Sequence, residues 1–180
     1  MKKLIALLFV TVLFALPLSA DDLPNPPAGF GWQKVPAIKA SFLKPDGWFF
    51  REEVQKGTQA YFITKEDISK TGEFNTGLTL NVFHLKSDSA VERGKLLIDN
   101  MASKHNVKSW SHTVGPFQEF GCDLKDTDAT GTTIMHALTV ANPKTNTLYL
   151  FMFESPEADW PAAWKLGKPI MDTLALDDEY

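Results

Sequence analysis

Gly77-Leu-Thr-Leu-Asn-Val-Phe-His-Leu85, followed from Ser89 by Ser-Ala-Val-Glu-Arg-Gly-Lys-Leu-Leu-Ile-Asp-Asn-Met101, is where the period of the chain changes. Leu78, Leu80 and Val82 alternate with Thr79 and Asn81, which predicts a strand with one apolar face. After the polar break Lys86–Asp88, Ala90, Gly94, Leu97, Ile98 and Met101 recur at helical spacing. That stripe suits a helix lying on a sheet. Ser89 and Glu92 stand where a capping box starts such a helix. A strand feeding directly into a sheet-packing helix calls for a fold that combines sheet and helix.

Working outward, β-rich segments crowd both flanks. Upstream, Ala37–Leu43 reads as a strand closed by the turn Lys44-Pro45-Asp46-Gly47, with Trp48–Val54 returning as its partner. Proline presets φ in such a turn and glycine permits a positive one. Thr58–Thr64 is a further strand, and Lys65–Asn75 a loop with one helical turn. Downstream, strands are expected at Val107–Thr113, Pro116–Leu124, Thr132–Ala141 and Thr147–Phe153, the last pair joined by the loop 142–146. The Thr147–Phe153 run is apolar on both faces and belongs mid-sheet, covered on both sides. A final helix begins near Asp159 with Pro161 in its first turn. Pro169 should break or kink it near Gly167.

The ends read differently. Lys2-Lys3, the apolar run Leu4–Leu16 and Pro17-Leu18-Ser19-Ala20 have the layout of a secretory signal peptide. The run is too short for a membrane span of ~20 apolar residues. The expectation is cleavage after Ala20, with export to a periplasmic or extracellular location and no stable membrane insertion. Asp21–Pro36, with four prolines, reads as an extended lead-in anchored by Phe30 and Trp32. Residues 37–176 then form a single domain, and 177–180 an acidic, solvated tail.

Charge and composition exclude several tasks. Losing Lys2 and Lys3 takes the formal charge from −4 to −6, and the remaining basic residues are scattered. Phosphate-dependent nucleic-acid binding needs a basic patch, which this pattern lacks. Cys122, the single cysteine, permits no internal disulfide.

With these elements in place, the chain resembles the Mog1/PsbP-like family. The matching pieces are Phe42-Leu43-Lys44-Pro45-Asp46-Gly47-Trp48, Tyr61-Phe62-Ile63, Gly77–Val82 leading into the helix after Ser89, and Leu148–Phe153 followed by Trp164 and Gly167–Leu174. The resemblance implies an α+β fold, a central antiparallel sheet flanked by helices as an α/β/α sandwich, in a family many of whose members are secreted or lumenal. It also implies a non-enzymatic role in binding or assembling protein partners. The family supplies no catalytic set and no cofactor to carry over.

The residues themselves offer few candidates for chemistry. His84 and His136 each join an apolar strand face, and Cys122 shares one with Phe120 and Leu124; no ligand spacing supports a metal site from this trio, and edge-of-core packing explains all three better. Asp126–Gly131 echoes the start of a calcium loop, but position twelve is Ala137, so a hairpin turn explains it better. No nucleophile motif and no phosphate loop is present. Trp160 and Trp164 read as core anchors of the last helix. Trp48-Phe49-Phe50 places aromatics on both sides of one strand, so Trp48 and Phe50 join His84 and His136 as candidate partner or ligand contacts. The competing reading is a small-ligand carrier with its cleft between the sheet and the Ser89–Met101 helix.

Overall fold

A computed structural model describes residues 23–55, 58–129 and 131–180; the expected signal peptide lies outside the described residues. The centre is a seven-stranded antiparallel sheet built from β3 (Phe49–Gln55), β4 (Thr58–Thr64), β5 (Gly77–His84), β6 (Trp110–Val114), β7 (Phe117–Thr127), β8 (Thr132–Asn142) and β9 (Thr147–Pro156). Its order is β3-β4-β5-β9-β8-β7-β6. β9 is thus the middle strand, and Leu148, Tyr149, Phe151 and Phe153 are fully buried in it, as its two-sided apolar run requires.

One face is covered by α2 (Ala90–His105), which rests on β7, β8 and β9. Ser89 caps it, its hydroxyl accepting the Glu92 N–H at 3.3 Å. Ala90, Gly94, Ile98 and Ala102 are its buried positions. The opposite face is covered by α3 (Trp160–Asp172) together with a small sheet, β1 (Phe30–Val35), β2 (Ala40–Pro45) and β10 (Ala175–Leu176), in the order β1-β2-β10. The α+β class and the antiparallel centre are as read from the sequence, but one outer layer is largely β rather than α. Phe42 of β2 meets Phe151 edge-on at 6.0 Å, which locks the small sheet onto the large one. The short helix α1 (Ile68–Thr71) is the one helical turn expected in the 65–75 loop.

Four expectations need correction. The lead-in is not merely extended, since Phe30–Val35 forms β1 and pairs along all of β2. β2 and β3 are not partners: β2 pairs with β1 and β10, and β3 with β4. The Pro45–Trp48 turn, closed by the Trp48 N–H on the Pro45 carbonyl at 3.1 Å, moves the chain between sheets. Its Gly47 has φ +76°, a conformation that costs glycine nothing. The division follows from composition: β2 is apolar and buried almost throughout, whereas β3 carries Arg51, Glu52 and Glu53, which suit an exposed edge. α3 is continuous through Pro169, because Ile170 and Met171 are buried beyond it and tertiary packing holds the last turn. Finally, residues 177–180 are docked. The Asn142 side-chain amide donates to the carbonyls of Asp178 (2.8 Å) and Tyr180 (3.1 Å), and Lys144 pairs with Glu179.

Candidate binding surfaces

The residue that organises the first surface is a glycine. Gly121 on β7 faces Trp110 on the outermost strand, β6. A Cβ there would lie 2.1 Å from the indole, so Trp110 lies flat over bare backbone. From this seat a row of rings runs across the sheet onto α3. His112 is 5.1 Å from Trp110 between centroids, Trp110 is 6.1 Å from His136, and His136 is 4.9 Å from Trp164. Trp164 stacks on Trp160 at 5.1 Å with their planes 10° apart. β-strand alternation puts the first three on one face, and the i, i+4 spacing of the tryptophans stacks them on α3.

Carboxylates flank the row. The His136 Nδ1 lies 2.6 Å from the Asp123 Oδ1, and this hydrogen bond holds the Asp123 carboxyl below its usual range. Glu119, opposite His112 in register, is pushed up by burial, with His112 working the other way. Along the exposed side of α3, Trp160, Pro161, Trp164, Lys165, Lys168 and Pro169 line a shallow groove of about 450 Å³. Lys168 is paired with Asp172 at 2.5 Å, while Lys165 has no ion partner among the described residues.

The sequence candidates fare unequally. His136 sits inside this row. His84 shares its sheet face but lies opposite Thr147, while His136 lies opposite Phe153, six residues along β9 and so ~20 Å away. His84 instead contacts Thr147 (3.1 Å) and the Tyr180 hydroxyl (2.9 Å). Trp48 is buried and stacks on Phe153 at 6.4 Å; Phe50 is half-buried against Tyr61. Trp48 therefore cannot offer a recognition surface, and the outward ring of that trio is Phe49, 41% exposed. The reason is parity: β3 starts at Phe49, which points away from the core that takes Trp48 and Phe50. Trp160 and Trp164 do anchor α3, through Phe153 at 5.9 and 5.6 Å, yet they also form the groove. Trp110 and His112 escaped sequence reading; a Trp-x-His alternation ending a strand is a weak signal without the strand pairing.

Cys122 is fully buried on the opposite sheet face, clustered with Ile98, Ala102, Leu124 and Ala137. The His84/His136/Cys122 trio is thus split across two faces and two ends. Burial, with the Asp123 carboxylate adding to it, pushes the thiol up, so little reactive thiolate forms. A thiol reagent is expected to label the native protein slowly and the denatured protein fast. Rapid native labelling, or a reducible dimer on a non-reducing gel, would place Cys122 on the wrong face.

Asp126 and Thr127 are the last residues of β7, paired with Thr133 and Thr132 of β8, and the Asp128 N–H donates to the Gly131 carbonyl at 3.0 Å, as a hairpin connection requires. The cleft expected between sheet and helix is closed where α2 crosses. A Cβ on Gly94 would lie 3.0 Å from the Leu148 side chain and 3.1 Å from the Thr139 hydroxyl, so helix and sheet touch there.

No protein-family model matches the chain, and no curated protein matches it in sequence. Solved structures do. Cyanobacterial PsbP (CyanoP) from Synechocystis superposes with a TM-score of 0.51 at 11% identity, over 84% of this chain and 95% of that one. The Ran-binding protein Mog1p of Saccharomyces cerevisiae does so with a TM-score of 0.49 at 12% identity, over 83% and 96%. The architecture is a seven-stranded antiparallel sheet with α2 on one face and α3 with the small β1-β2-β10 sheet on the other. The fold is Mog1/PsbP-like.

Proposed function

We propose that the protein is an exported, non-enzymatic binding protein that holds a protein partner along the aromatic row and the α3 groove. The observation that carries this reading is the row itself: five rings from His112 to Trp160, held in mutual contact, tilted along the sheet and stacked at Trp160–Trp164, before any partner arrives. Aromatic side chains already held in place lose little conformational freedom on association, and tryptophan is the residue type most enriched at binding hot spots. Lys165, which has no ion partner among the described residues, offers one positive charge at the groove, whereas Lys168 is neutralised by Asp172. Export rests on the Lys2–Ala20 pattern, and the fold likeness to PsbP leaves a binding role open to it.

A photo-crosslinking side chain placed at Lys165, in cells of the native host, tests this. A discrete partner adduct is expected from position 165, weakened by about tenfold in Trp160→Ala, as loss of a hot-spot ring implies. The same probe at Lys104, exposed on α2, should give none. Equal adducts from both positions, or none from 165, would refute the reading.

A further inference from the structure

The half of the central sheet that α2 leaves open holds a carboxylate with nothing to answer it. α2 packs on β7, β8 and β9; beyond it on the same face, Phe62, Thr79, Met152 and Glu154 are only partly covered. Register sets them side by side. Phe62 is opposite Thr79, Thr79 opposite Met152, and Glu154 lies between Met135 and Gly77. Beside Gly77 the buried Thr64 side chain fills the flank, 2.7 Å from where a Cβ would stand, so Glu154 is open only toward Met152 and Thr79. Phe74 stands edge-on to Phe62 at 6.2 Å and forms one wall, and Phe49, on the neighbouring edge strand, extends the apolar surface outward. Among the described residues Glu154 makes no hydrogen bond and no ion pair. The basic residue on this face, Arg51, is already committed to Glu53 at 2.6 Å. A carboxylate in such surroundings is costly unless a cation meets it. Burial accordingly pushes Glu154 above the usual carboxylate range.

We propose that this open face is a second docking site, and that it takes an arginine side chain from a segment of a partner protein. Charge complementarity selects a cation, and the shape selects arginine. A guanidinium can fork onto the Glu154 carboxylate through two N–H groups while its flat face and stem lie against Phe62 and Met152. A lysine could lay its stem on the same apolar surface but would meet the carboxylate as a point charge, without the planar fork. The site lies on the sheet face opposite the aromatic row, so it stands or falls independently of that surface.

Met135 and Met152 flank Glu154, and their methyl groups report on it. The full chain without its first 20 residues, labelled with ¹³C in the methionine methyls, is titrated with acetyl-Val-Arg-Val-amide and with its neutral isostere, acetyl-Val-citrulline-Val-amide. The arginine peptide is expected to shift the Met135 and Met152 signals in a saturable way, with Met171 in the opposite layer unmoved. The citrulline peptide should bind at least about tenfold more weakly, the difference a charge-assisted pair supplies. Glu154→Gln should erase the preference while keeping the rest of the spectrum. Equal binding of both peptides, no saturable shift with arginine, or a preference that survives Glu154→Gln would each overturn the proposal. The citrulline comparison on the unmutated chain decides the matter even if the variant folds poorly.

Discussion

Phe153→Ala is expected to cost about 3–5 kcal/mol, the range for deleting a buried aromatic ring from a packed core. Phe153 is fully buried in the middle strand. Trp48 lies parallel to it at 6.4 Å, while Trp160 and Trp164 meet it at steep angles at 5.9 and 5.6 Å. Rigid indoles cannot collapse into the space that the ring would leave, which favours the upper part of that range. Domains are stable by only ~5–15 kcal/mol, so much of the total goes. In urea the unfolding midpoint should fall by roughly 1–3 M with little change in slope. A drop of less than about half a molar would mean that the ring is not wedged as described.

Gly167→Ala tests the same contact from the helix side. Alanine in place of glycine inside a helix ordinarily gains up to ~1 kcal/mol. Here the gain should be reversed. The added Cβ would lie 2.5 Å from the Phe153 ring, closer than carbon atoms approach, and the ring is backed by Trp48. A net loss of about 1–3 kcal/mol is expected, the usual cost of overpacking. The two changes should also be strongly non-additive. In the Phe153→Ala background the methyl enters the vacated space, so Gly167→Ala becomes neutral or stabilising. A chemical-denaturation cycle of four proteins measures this. Additive losses would show that Gly167 is strained for some other reason.

Much of the fold was legible because it was written in periodicity. The alternation in Gly77–His84, the Ser89 cap and the two-sided apolar run of β9 each specify their own element and its burial. What periodicity does not carry is which strand pairs with which. Ala37–Leu43 and Trp48–Val54, joined by a tight turn, look like a hairpin locally. The separation of β2 from β3 is decided by the apolar faces of β2, which need cover from partners distant in sequence. Pro169 misled for a related reason, since its local cost is outweighed by the burial of Ile170 and Met171. The candidate surfaces were legible only in part. His136 was picked out by its place on an apolar strand, but its neighbours Trp110 and Trp164 come from β6 and α3. Glu154 gave no signal at all, because an acid at the end of an apolar run looks solvated until the strands on either side are known.

The pairing of β2 with β10 also has a consequence in time. Ser41 is joined to Ala175 and Ala40 to Leu176, so contacts made near the start of the chain are completed near residue 176. Contacts of such long range slow folding, because the entropy of closing the loop comes before any return. During synthesis β2 can find β1 early, yet its other edge stays open until nearly everything between has emerged. The part of that edge that β10 covers is Ala40-Ser41, while Lys44 and Pro45 at the other end are residues that blunt an open edge. Timing, as much as stability, is then what the late strand Ala175–Leu176 governs: until it pairs, the Ala40–Ser41 end of β2 is an unguarded edge in the newly made protein.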